Sequence, residues 1–304
     1  MGHHHDHGHG HSHHHTSNTR VLFWSFIIIF LFMIIEAIGG ILTNSLALIS
    51  DAGHMLSDAA ALGLSLLAFK IGRKKATLDK TYGYRRFEII AAFINGLTLI
   101  LISLYIFYEA FHRFMEPPDV SASMMIVAII GLIVNLVAAW LLMRGDSKDN
   151  LNIRSALLHV MGDLLGSVGA IAAGLLIFFF GWDIADPIAS AIVALLIIIS
   201  GFRITKDAIH ILMEGKPENI NVDAIKETLE GLDGVENVHD LHVWSITSEF
   251  PTLSCHLVVK DSVNRDKLLQ RANQEMKTSF SLSHCTIQME GMDSLVHKNC
   301  DLCN

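Results

Sequence analysis

Ser50-Asp51-Ala52-Gly53-His54-Met55-Leu56-Ser57-Asp58 lies inside one long apolar run, and Ser155-Ala156-Leu157-Leu158-His159-Val160-Met161-Gly162-Asp163 lies inside another; each carries the spacing His-x-x-x-Asp. On an α-helix, positions i and i+4 share a face one turn apart, so each copy offers an imidazole nitrogen and a carboxylate oxygen to one point. Two such helices packed face to face supply four N/O ligands, a set that suits tetrahedral Zn²⁺. Ionisable residues within a bilayer are costly, and two matched His/Asp pairs exceed what a structural staple between helices needs. The pattern predicts His54, Asp58, His159 and Asp163 as a metal site inside the membrane, at a depth where a cation in transit would be held. Asp51, one turn before His54 on the same face, is either a release-side ligand or a helix-start acid favoured by the dipole; Ala156 takes its place in the second copy.

The membrane class follows from composition as well. Hydrophobic residues are 51% of the 304 and charged residues 17%. Six apolar runs, 21–42, 45–71, 87–111, 123–143, 155–180 and 187–203 or a little beyond, come close to or exceed the roughly 20 residues that a spanning helix needs. Short-loop charge gives the orientation. Lys70, Arg73, Lys74, Lys75, Lys80, Arg85 and Arg86 lie between the second and third runs, and Arg144, Lys148 and Arg154 between the fourth and fifth, whereas the opposite loops hold only Arg113. This asymmetry predicts both termini in the cytoplasm. No cleavable leader is expected before the first run, because the N-terminus is polar and histidine-rich. Glu36, Asn95 and Asn135 are further polar residues inside the runs, and such groups usually hydrogen-bond between helices.

Residues 1–19 hold nine of the eighteen histidines among Gly, Asp and Ser. They are expected to be a disordered cytoplasmic tail able to capture metal, the repeated interruptions arguing against an appended affinity tag. Residues 20–212 form the six-span unit. The net charge of −8 belongs to the termini and C-terminal part more than to the spans, and gives no sign of nucleic-acid binding.

From residue 213 to 291 the periodicity predicts a helix over 221–232, strands over 238–246 and 252–259, a helix over 265–280 and a strand over 285–290. An α-β-β-α-β order of this length is a small two-layer α+β domain. Residues 292–304 are a C-terminal tail that ends in Cys300-Asp301-Leu302-Cys303. All four cysteines follow the last span, on the reducing side, where metal binding is favoured over disulfides. Two thiolates at the Cys-x-x-Cys spacing readily share a Zn²⁺. Candidate ligands of a cytoplasmic zinc site are His239, His256, His284, Glu290, Cys300 and Cys303; His242, three residues after His239, should face the other side of its strand.

The chain resembles the cation diffusion facilitators, in their zinc-transporting branch, over nearly its whole length. The resemblance rests on six spans, the paired His-x-x-x-Asp, Tyr82-Gly83-Tyr84-Arg85-Arg86-Phe87-Glu88 before the third span, Val238-His239-Asp240-Leu241-His242-Val243-Trp244, and the Cys255-His256-Leu257 and Thr286-Ile287-Gln288-Met289-Glu290 strands. It implies a homodimer, a ferredoxin-like, metallochaperone-like C-terminal domain, and zinc/proton exchange by alternating access at His54, Asp58, His159 and Asp163. It further implies that His239, His256 and Glu290 fall on ligand positions, with His284 beside one; a Zn²⁺ held there is expected to be a regulatory ion.

The expected activity is therefore export of cytosolic Zn²⁺ against H⁺, with Cd²⁺ or Co²⁺ tolerated by the same ligands. The short loops favour a bacterial plasma membrane over an intracellular vesicle. A zinc hydrolase is disfavoured because no His-Glu-x-x-His helix and no glutamate base accompany the histidines. A membrane-bound zinc sensor or buffer remains the alternative, distinguished by binding without flux. Because ligand type sets selectivity, His54→Asp is expected to change the ratio of cadmium to zinc carried; an unaltered ratio would remove His54 as a determinant.

Overall fold

The computed structural model describes residues 12–43, 46–115, 122–145, 150–182, 184–282 and 284–292. Six long helices come first: α1 (Ser12–Thr43), α2 (Leu46–Gly72), α3 (Phe87–Met115), α4 (Ala122–Leu142), α5 (Leu151–Phe180) and α6 (Ala185–Leu212). Among the described residues, five are long and apolar enough to cross a membrane; α4 contributes a shorter apolar stretch, Ile129–Leu142. Several bounds differ from the sequence reading, most at the ends of the first and last of these helices. The first helix begins at Ser12, inside the segment expected to be disordered, because an established helix adds one bond for each further residue and so propagates into polar sequence. The last continues beyond Arg203, carried by the buried Ile204 and Ala208 at helical spacing.

The chain divides into two compact units at Ala208/Ile209. In the first unit, α1, α2, α4 and α5 share one apolar cluster that includes Leu22, Ile29, Met55, Leu62, Phe69, Ala138, Leu142, Ile153 and Val160. The α5 helix starts at Asn150, whose side chain accepts from the backbone N–H groups of Asn152 and Ile153 at 3.0 and 3.1 Å. Helices α3 and α6 cross where each is glycine. A Cβ on Gly96 would lie 2.6 Å from Thr205 Oγ1 and 3.2 Å from the Gly201 carbonyl oxygen. Arg154 of α5 pairs with Asp207 of α6 at 2.9 Å.

The second unit contains α7 (Val222–Glu230), β1 (Val235–Thr247), β2 (Phe250–Val259), α8 (Arg265–Phe280) and β3 (His284–Gly291), in the order read from the sequence. The sheet order is β1-β2-β3; β1 and β2 are an antiparallel hairpin, and β3 runs parallel to β2 after the α8 crossover. A ferredoxin-like unit is β-α-β-β-α-β. The described part of this domain is that arrangement without its first strand. Ile225 and Leu229 of α7, and Leu268, Ala272 and Met276 of α8, recur one turn apart and cover a core of Val238, Leu253, Cys255 and Leu257.

The two kinds of glycine in the spans should respond oppositely to a methyl group. Gly96→Ala forces a shift at the α3–α6 crossing and is expected to destabilise by about 1–3 kcal/mol. Gly169→Ala places its Cβ in ordinary contact with Val193 Cγ2 at 3.6 Å, and is expected to stabilise by about 0.5–1 kcal/mol through lost chain entropy. Apparent melting temperatures of the full-length protein in detergent would reveal both signs.

Candidate metal centres

Helical register brings Asp58 of α2 and His159 of α5 together. His159 Nε2 lies 2.8 Å from Asp58 Oδ1, and the two residues are only 4% and 3% exposed. One ligand atom each of Asp58, His159 and Asp163 lies within 4.8 Å of the others. With Asp58 ionised, Nε2 donates in this contact, and in the neutral imidazole Nδ1 then keeps its lone pair. That Nδ1 is buried and has no hydrogen-bond partner. Two carboxylates and an imidazole with an unused acceptor are a donor set that fits a divalent cation. Of the predicted four, the structure gathers three. The fourth, His54, stands in α2 one turn before Asp58, and its side chain, like that of Asp51, lies outside the described residues.

In the C-terminal domain the sheet assembles a second set. His239 and His256 are directly opposite in the β1–β2 ladder, with ring centroids 5.1 Å apart. Glu290 reaches them from β3, its side chain 2% exposed, with His239 Nε2 at 3.2 Å and His256 Nδ1 at 3.0 Å. The second contact lacks hydrogen-bond alignment, and Gln288 Nε2 donates to the same Glu290 oxygen at 2.9 Å. Two imidazoles converging on one buried carboxylate fit a zinc ion, and one ligand atom of each lies within 4.8 Å of the others.

His284 requires a correction. It pairs with Thr252, four residues along β2 from His256 and so about 13 Å away, and its exposed ring faces Phe250. Within one chain it is not part of the cluster. Cys300 and Cys303 lie outside the described residues. Cys255 and Cys285 contribute no thiolate at neutral pH: burial pushes the first up to about 12 and the second to about 11.

Asp240 was missed by the sequence reading. Its φ of +50° sits in a bulge between His239 and His242, and its carboxylate contacts His242 Nε2 at 2.9 Å and His256 Nε2 at 3.6 Å. Strict alternation puts it on the face opposite His239; only its place between two histidines hinted otherwise.

Helices with a buried His/Asp set, followed by a small α+β domain with a His/His/Glu set, define a multi-pass membrane protein built to handle metal. Residues 22–213 match the cation efflux transmembrane domain, and residues 217–292 the cation efflux protein cytoplasmic domain. The chain belongs to the cation diffusion facilitator family, in its zinc branch, a family of membrane cation transporters. It is 56% identical to a cadmium, cobalt and zinc/H(+)-K(+) antiporter of Bacillus subtilis over 100% of this chain and 96% of that one. It is 42% identical to the zinc transporter ZitB of Escherichia coli over 90% of this chain and 88% of that one. A solved structure, the metal-bound C-terminal domain of the CzcD transporter from Cuprividus metallidurans, is 30% identical, covers 23% of this chain and 99% of that chain, and has a TM-score of 0.23.

If Glu290 is the charged ligand of the C-terminal set, Glu290→Gln keeps the shape and removes the charge. Zinc titration calorimetry of protein carrying Asp163→Ala, Cys300→Ser and Cys303→Ser and lacking residues 1–19, which removes the other candidate zinc ligands, is expected to show affinity reduced by about tenfold or more. An unchanged isotherm would exclude Glu290 as a ligand.

Proposed function

We propose that the protein exports cytosolic Zn²⁺ in exchange for H⁺ by alternating access, as a homodimer in a bacterial plasma membrane. Both termini and the C-terminal domain face the cytoplasm, as the basic loops between α2 and α3 and between α4 and α5 indicate. The observation that carries this reading is the convergence of Asp58, His159 and Asp163 in one cluster among membrane-length helices. A permanent structural contact would not need the third acidic residue.

His54, Asp58, His159 and Asp163 hold the cation, and protons arriving from the far side displace it. An unperturbed imidazole titrates near pH ~6.5, and a metal ligand must be deprotonated, so falling pH weakens binding. Release therefore follows acidification of the far side, and uptake follows neutral pH on the cytosolic side. The imidazole and carboxylate set also accommodates Cd²⁺ and Co²⁺, in keeping with the name of the Bacillus subtilis relative. His239, His256 and Glu290 hold a regulatory Zn²⁺ in the C-terminal domain, and the histidine-rich segment before α1 gathers the ion.

Zinc flux into proteoliposomes under an imposed pH gradient tests the proposal, run beside Asp163→Ala and a truncation of residues 1–19. Flux should follow the gradient, vanish in Asp163→Ala and survive the truncation. Binding without flux in the intact protein would overturn transport in favour of a membrane-bound sensor or buffer.

A further inference from the structure

The α5 face that carries His159 stays polar toward the helix N-terminus, and on α2 the face that carries Asp58 turns polar again at Ser65, beyond the buried Ala61 and Leu62. Two turns on from Asp58 stands Ser65, and two turns back from His159 stands Asn152, with Ser155 between, a distance of about 10 Å. Asn95 of α3 inserts among them. Its Nδ2 lies 3.2 Å from Ser65 Oγ, 3.4 Å from the Ala61 carbonyl oxygen and 3.5 Å from Ser155 Oγ. Asn152 Nδ2 donates to the Ser65 carbonyl at 3.1 Å, and Ser155 Oγ donates to the Asn152 carbonyl at 2.9 Å. All four side chains are at most 2% exposed, and Asn152 Oδ1 has no hydrogen-bond partner.

Helix packing alone does not call for this. The neighbouring face of α5 is Ile153, Ala156 and Val160, closed by apolar contact. A buried amide oxygen without a donor costs free energy, so the polar column needs another reason. Its oxygens are neutral hydroxyls, amides and helix carbonyls, which can replace part of a cation's hydration shell without holding it as carboxylates would. A conducting path requires such binding, favourable enough to admit the ion and weak enough to pass it on. The contacts that close the column are weak as well: one NH₂ with two hydrogens faces three acceptors at the long end of N–H···O distances. Water exchanges for such bonds at low cost.

We infer that Ser65, Asn95, Ser155 and Asn152 line the route by which the divalent cation reaches Asp58, His159 and Asp163, and that Asn95 is the latch closing this route in the structure. The inference rests on the transport reading, and on the orientation that puts the α5 N-terminus at the cytoplasmic face. Asn95 and Ser155 are positioning residues of the route and not ligands of the site, which separates rate from affinity.

The test is zinc flux in proteoliposomes beside equilibrium zinc calorimetry, on full-length Asn95→Leu, Ser155→Val and Asn95→Ser. Asn95→Leu and Ser155→Val fill the route with apolar volume, and should lower maximal flux by about tenfold or more while equilibrium affinity stays within about threefold; Asn95→Ser, still polar, should keep at least about a third of the flux. Flux within about twofold of the unaltered protein in both apolar variants would overturn the inference, as would affinity falling in proportion to flux, which marks a ligand. If Asn95→Leu does not fold, Ser155→Val decides by the same criteria. Asp163→Ala, run alongside, reports on the site itself: flux retained there defeats the transport reading whatever the Asn95 variants do.

Discussion

The contact between Asp58 and His159 constrains the rest of the membrane unit. A carboxylate in an apolar medium must be paired, hydrogen-bonded or neutralised, and the partner must come from another helix at the same depth. That requirement fixes the register of α2 against α5. It also explains the small residues around the pair. Ala52, Ala59 and Ala61 on α2 are buried, and a Cβ on Gly162 of α5 would crowd Ile197 of α6 at 3.1 Å. Close backbone approach brings short side chains such as Asp within 3 Å of a partner, and larger neighbours would hold the helices apart.

The two candidate centres use similar ligands on different scaffolds. In the membrane, each helix contributes an i, i+4 pair, so half of the site's geometry is internal to one element and survives movement of its neighbour. In the C-terminal domain, His239 and His256 meet only through the β1–β2 ladder, and Glu290 only through β3, so each ligand comes from a different strand. The first arrangement tolerates a change in helix packing, as the proposed alternating access requires. The second senses or reinforces one folded state of the sheet, which suits a resident ion.

Local features were the legible ones. Apolar length, the paired His-x-x-x-Asp and the bounds of α8 depend on residues a few positions apart, and the sequence displays them. Features that depend on long-range register were hidden. Asp240 faces the metal cluster only because a bulge breaks the two-residue alternation between His239 and His242. His284 was a candidate ligand because the resemblance put it beside a ligand position, but β3 carries it to the opposite end of the ladder from Glu290. Ser65, Ser155 and Asn152 are unremarkable in helices, and only the antiparallel placement of α2 and α5 makes them one column. Asn95 did read correctly as a group that hydrogen-bonds between helices; which helices it joins was not readable.

The membrane unit combines apolar and hydrogen-bonded helix contacts. On one side, α2 is held to α1, α4 and α5 by an apolar cluster that includes Leu22, Met55, Leu62, Phe69 and Leu142. On the other, α3 packs along α2 and α5 and hydrogen-bonds to both through Asn95, and it crosses α6 closely at Gly96 and Gly201. Separating α3 from α2 and α5 at the level of Asn95 exchanges hydrogen bonds for bonds to water, a nearly balanced trade. Separating α2 from α1 exposes apolar surface, at about 25 cal/mol per Å² if water enters. The hydrogen-bonded level at Asn95 lies on α2 and α5 about two helical turns from Asp58 and His159, so water that exchanges for these bonds stands close to the candidate metal cluster.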